Sequence, residues 1–142
     1  MRILPTLALT LAAAAPLSAE VVKVDVESRK ALRIADRNYE KLAGTIHFAF
    51  DPDNAFNQKI CDIEFAPLVD GAVRASANFM VLRPTDGGSH TALLEVSNRG
   101  GMAMLPYFNG ALRSADPTTD EHFGDGFLME LGLTLIWVGW QW

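Results

Sequence analysis

The sequence predicts an α/β fold, with an antiparallel β front end leading into the first βαβ unit of a larger sheet. Three observations carry this. Residues 21–83 contain several short runs that alternate apolar and polar positions, as half-buried strands do. From residue 91 the pattern changes: Ala92–Val96 and Leu133–Val138 are nearly continuous apolar runs, the mark of strands covered on both faces. Between those two runs lie helix-compatible segments, and strand, crossover helix, strand implies a parallel pair with a right-handed connection.

Residues 1–19 read as a secretory signal peptide rather than as structure. Arg2 supplies the basic start, Ile3–Leu17 is small and apolar, and Leu17-Ser18-Ala19 offers a small-residue cleavage site. An uncleaved membrane anchor is the competing reading, but the apolar run falls short of the about 20 residues a spanning helix needs. No cysteine lies near the cleavage site, which argues against a lipoprotein anchor. The expected destination is the periplasm or the exterior, with no membrane association after cleavage and residues 20–142 as the mature part.

Cleavage removes Arg2 and moves the formal charge from −5 to −6. That acidity argues against nucleic acid or an anionic membrane surface as partner. Cys61 is the single cysteine, so no intrachain disulfide can form and stability must come from burial.

Taken in order, Val21–Val26 places Val22, Val24 and Val26 opposite Lys23, Asp25 and Glu27, a strand pattern. Ser28–Asn38 is basic and polar and reads as either a short helix or a loop. Thr45–Phe50 sets Ile46, Phe48 and Phe50 on one face, and Asp51-Pro52-Asp53-Asn54 ends it with turn chemistry. Lys59–Ala66 alternates again, with Cys61, Ile63 and Phe65 on one side. Asp70-Gly71 between alternating runs is a hairpin signal leading into Val73–Arg83. Pro84 and Asp86-Gly87-Gly88 then turn the chain into Ala92–Val96. Helices are expected at Met102–Leu112 and Phe123–Leu131, the second capped by Gly132. The last strand, rich in tryptophan, shows no terminating turn, and the expectation is that the domain is incomplete.

Chemistry-bearing motifs are sparse. Ser28, Ser76, Ser89, Ser97 and Ser114 all lie outside a G-x-S-x-G elbow, the strained turn that presents a serine nucleophile in many hydrolases. Ser89 and His90 are neighbours on an extended chain and point to opposite faces. Cys61 reads as an inert core thiol. No metal template is present, and no cofactor is expected. The acidic cluster Asp116, Asp120, Glu121, His122 and Asp125 reads as a solvated loop with Asp120 or a nearby acid capping the next helix. His47 faces away from the phenylalanines and reads as a surface or satisfied histidine. What remains is Asn98-Arg99-Gly100-Gly101, leaving the end of a buried strand. Its glycines allow close backbone approach to a substrate oxygen, as in an oxyanion loop. The bland alternative is an ordinary turn with Arg99 in a surface ion pair.

Several stretches, in order, carry a family resemblance. They are Tyr39-Glu40-Lys41-Leu42-Ala43-Gly44, Phe48-Ala49-Phe50-Asp51-Pro52, Asp62 with Ala66-Pro67, and Phe79 with Leu82-Arg83-Pro84. Glu95-Val96-Ser97-Asn98-Arg99-Gly100, Asp116-Pro117-Thr118, Gly126-Phe127-Leu128-Met129 and Trp137-Val138-Gly139-Trp140-Gln141 complete the series. Over residues 21–141 the chain resembles the N-terminal region of the exported bacterial alpha/beta hydrolase domain-containing proteins. That resemblance implies an α/β-hydrolase-like sheet, hydrolysis of a small ester-like substrate by a Ser-His-acid triad, and a full protein several times longer. The sequence ends at Trp142, before the family's nucleophile, so no catalytic residue can be carried over. Asn98, Arg99, Gly100 and Gly101 alone map onto an oxyanion loop. The expected function is an N-terminal fragment of a serine hydrolase, inactive alone. A small secreted β-rich binding or accessory module without catalysis is the alternative, and a piece that complements a separately encoded remainder is a third.

Overall fold

The computed structural model describes residues 19–97 and 101–139. The alternating runs form strands except at Lys59–Ala66, and the strands dominate. They are β1 (Ala19–Ile34), β2 (Arg37–Phe50), β3 (Leu68–Val69), β4 (Ala72–Pro84), β5 (Ala92–Ser97) and β6 (Thr134–Gly139). The helices are short: α1 (Met104–Asn109), α2 (Asp120–Phe123) and α3 (Phe127–Glu130). The α/β expectation is therefore corrected. The described residues are mostly β, 49% strand against 17% helix with the 3-10 turns included, and form one mixed sheet in the order β1-β2-β4-β6-β5 with β3 beside β4.

Two local causes produce the excess of strand. The stretch Ser28–Asn38, read as helix or loop, instead continues β1, turns at Ala35-Asp36 and opens β2. Both turn residues have positive φ, 46° and 59°, the signature of the tight I′ hairpin turn that matches strand twist. Farther on, the segment expected as one helix over Phe123–Leu131 is broken in two. Gly124 and Gly126 sit at φ 62° and 76°. A Cβ at Gly124 would lie 2.0 Å from the Asn109 carbonyl oxygen, so the break is built in. Lys59–Ala66 is not a strand either. It forms single 3-10 turns at Asn57–Lys59 and Ile63–Phe65, with Cys61 exposed between them rather than in a core.

Other expectations hold. Asp70-Gly71 makes a positive-φ turn between β3 and β4, Gly132 lies at φ 67° just beyond α3, and β5 pairs parallel to β6. All other strand pairs are antiparallel.

Side chains alternate across a sheet, so the registers assign the faces. One face carries Leu32, Tyr39, Lys41, Met80, Leu82, Leu93, Leu135 and Trp137. Met104, Leu105, Phe123, Leu128 and Met129 of the three helices pack on it and form the core. The opposite face carries Val24, Val26, Leu42, Ile46, Phe79, Val81, Ile136, Val138, Leu94 and Val96. It is equally apolar but half-buried to exposed. The continuous apolar runs thus reflect two apolar faces, of which the helices cover one. No helix among the described residues is long and apolar enough to cross a membrane.

Candidate functional site

The parallel pair β5/β6 ends beside an open cavity of about 390 Å³. Its floor is Ala43, Met80 and Trp137, and its walls include Asn78, Met102, Asp116, Gly139 and Glu27. Three polar fasteners hold this region together, and each follows from one residue placed on the covered face.

Glu95 is the first. Its register partner on β6 is Trp137, so its carboxylate points toward the helices. It accepts hydrogen bonds from the backbone N–H groups of Ala103 and Met104, both 2.9 Å, and from Trp137 Nε1 at 2.8 Å. A carboxylate there satisfies the orphan N–H groups at the start of α1 and complements the helix dipole.

Lys41 is the second. Its ammonium group is 2% exposed, forms an ion pair with Asp116 and donates to the Pro117 carbonyl at 2.9 Å. This ties the 111–119 connection down over the sheet as one wall of the cavity. The same ammonium holds the Asp116 carboxyl below its ordinary value. Tyr39 is the third. Its buried hydroxyl lies 3.0 Å from the Leu133 carbonyl and 3.3 Å from that of Met129, and burial raises its pKa.

Asn98, Arg99 and Gly100 lie outside the described residues. Gly101 is exposed and forms an isolated bridge directly before Met102 of the cavity wall. Ser89 Oγ donates to the Gly132 carbonyl at 3.0 Å, so it serves the chain turn and not His90. The acidic cluster comes apart. Asp116 goes to Lys41, and Asp125 accepts from the Phe127 N–H at 3.0 Å. His122 Nδ1 accepts from the N–H groups of Thr118 and Thr119 at the start of α2. Of the acids expected to cap the next helix, Asp120 does not, being the first residue of α2 behind a Thr119 N-cap, whereas Asp125 takes the first N–H of α3. Among the described residues, no three His, Cys, Asp or Glu side chains are grouped to hold a metal.

Beyond the helices, the same face turns polar. His47 Nε2 lies 3.0 Å from Asp25 Oδ2, and Ser76 is the register partner of His47 on β4. The Asp25 carboxyl is held below its ordinary value chiefly by Lys23, with His47 adding to the effect against partial desolvation. Among the described residues no hydrogen bond joins Ser76 to His47, so the row is a polar sheet surface. The sequence reading missed Glu95 and Lys41. The available signal was one charged residue at an inward position of each strand. The comparisons with known proteins are negative: no family model, no curated protein and no solved structure matches this chain.

Proposed function

We propose that this chain is the leading section of an exported serine hydrolase of small ester-like substrates, and that it does not turn them over by itself. The carrying observation is a cavity lined by Met102, Trp137 and Gly139, with Gly139 the last residue of β6 in its parallel pair with β5. Loops leaving the C-terminal ends of parallel strands are where open α/β sheets bind ligands, and β5 and β6 are the parallel pair described here. Asn98–Gly101 would contribute backbone N–H groups to a developing oxyanion. The two carboxylates on the cavity wall are already engaged, Asp116 by Lys41 and Glu27 by the Thr45 hydroxyl. No serine of the chain sits in an elbow, which supports inactivity in isolation.

The full chain treated with a fluorophosphonate probe and assayed on p-nitrophenyl esters tests the inactive half of this reading. Neither labelling nor turnover is expected, and a labelled serine would overturn it. Genomic sequence read past the Trp142 codon in all three frames tests the rest. A G-x-S-x-G elbow there is the expected result, and its absence in every frame overturns the hydrolase assignment. A second reading, a β-rich binding module without catalysis, is favoured by the exposed apolar face around Leu94 and Val96.

A further inference from the structure

Among the described residues the two end strands of the sheet are built differently, and only β1 carries edge protection. β1 carries Lys23, Arg29, Lys30 and Arg33, with register breaks at Val21/Lys23 and Val26/Ser28. Charge and bulges on an edge are devices that block pairing with another chain. β5 has neither: its register against β6 is unbroken over six residues, and its sequence is Ala-Leu-Leu-Glu-Val-Ser. Its one charge, Glu95, turns inward and is occupied by three N–H donors. Beside the edge runs an apolar groove lined by Leu93, Leu94, Ala103, Met104, Tyr107 and Phe108.

From these observations we propose that β5 is a self-association edge, whose partner is the β5 of a second copy, antiparallel and centred on Leu94. Parity restricts that centre to a residue position, and charge together with the exposure of Leu94 selects it among them. In a two-fold antiparallel pair, same-face residues must face one another, so the axis passes through a residue position. Centring on Glu95 would place two carboxylates opposite each other. Centring on Leu94 instead pairs Leu94 with Leu94, Ala92 with Val96 and Leu93 with Glu95, with no like charges in contact. Leu94, Val96, Tyr107 and Phe108 are 58%, 63%, 75% and 56% exposed. Together they add apolar surface toward the about 800 Å² per partner of a standard interface, the two aromatics being the largest contributors. The β5 backbone and the groove supply more. A pairing of β5 with β1 of another copy would be heterologous and open-ended, and the charged, bulged β1 edge opposes it.

This inference concerns the β5 edge of the 142-residue chain; on the hydrolase reading a strand of the longer protein takes that same edge, so the association test and the downstream-sequence test are read separately. Sedimentation equilibrium of the full chain across a dilution series is expected to show a monomer–dimer equilibrium. Leu94→Lys, at an exposed position, is expected to raise the dissociation constant about tenfold or more, while Val24→Lys on β1 leaves it unchanged. In a Cys61→Ser background, oxidised Leu94→Cys is expected to give a disulfide-linked dimer and Val96→Cys to give none. A monomer at every concentration, a dimer indifferent to Leu94→Lys, or equal cross-linking at both positions would each overturn the assignment.

Discussion

The β1 side and the β5 side of this sheet solve the same physical problem in opposite ways. Both strands lie at an edge and both expose apolar side chains: Val21, Val24 and Val26 on β1, Leu94 and Val96 on β5. The β1 side has no helix over its outer half, and it relies on charge, bulges and a long hairpin ladder of fourteen paired positions. Gly44 belongs to that solution, because a Cβ there would lie 1.9 Å from the Asp25 carbonyl oxygen, beside the second bulge. The β5 side has a short strand with no edge protection, and its order depends on what Glu95, Tyr39 and Lys41 fasten over it. Stability on the β1 side is therefore spread over many weak contacts. On the β5 side it is concentrated in a few polar groups, and substitutions should separate the two.

The largest effect is expected at Glu95. Glu95→Ala removes an acceptor shared by three donors, leaving the start of α1 and the Trp137 indole without their partner. Urea unfolding of the full chain should show a loss of about 3 kcal/mol. Glu95→Gln should cost less, because its amide keeps one acceptor oxygen. Equal losses from the two would mean that the carboxylate acts through packing, not as an acceptor.

Tyr39→Phe tests the second fastener and is expected to cost about 1–2 kcal/mol, since the Leu133 and Met129 carbonyls lose their donor. Its pH dependence has a definite sign. Burial raises the folded pKa of Tyr39 above its ordinary value of 10.0. Its contribution is full below that value and falls as pH rises from there through the folded pKa. The alkaline loss of stability should therefore be smaller in Tyr39→Phe than in the parent chain.

The contrast between the edges also explains what the sequence could reveal. Alternation located β2 and β4, and Asp70-Gly71 located the β3–β4 turn, because period and turn chemistry are local properties. The β1–β2 turn was hidden because Ala35-Asp36 contains no glycine, yet takes positive φ at both positions under the pull of a long antiparallel ladder. Lys59–Ala66 alternates like a strand but has no ladder partner, so local 3-10 bonds take its backbone N–H groups instead. The helices were overestimated because Gly124 and Gly126 look tolerable in a helical pattern until the Asn109 backbone is found against one of them. Site chemistry was least legible. Glu95 and Lys41 acquire their partners only through chain reversals that no local spacing encodes, and the Asp25–His47–Ser76 row exists only through strand register.

Asp116→Asn should have a smaller effect, about 0.5–1 kcal/mol, because Lys41 is buried but its carboxylate partner is mostly in water. The Lys41 ammonium lowers the folded pKa of Asp116 below 3.8. Its contribution is present above that value and disappears as pH falls through the folded pKa. The parent chain should lose part of its stability below about pH 4, and Asp116→Asn should lose less over the same window. An unchanged acid limb in the variant would mean that Lys41 is held by Pro117 alone.

The smallest effect should come from β1. Val24→Lys adds one more charge to an edge already rich in them, at a half-exposed position, and should change stability by no more than about 0.5 kcal/mol. A loss comparable to that of Tyr39→Phe would show that the valine row on β1 is covered in solution. The uncovered apolar face would then be a buried one, and the β1 side would depend on concentrated contacts just as the β5 side does.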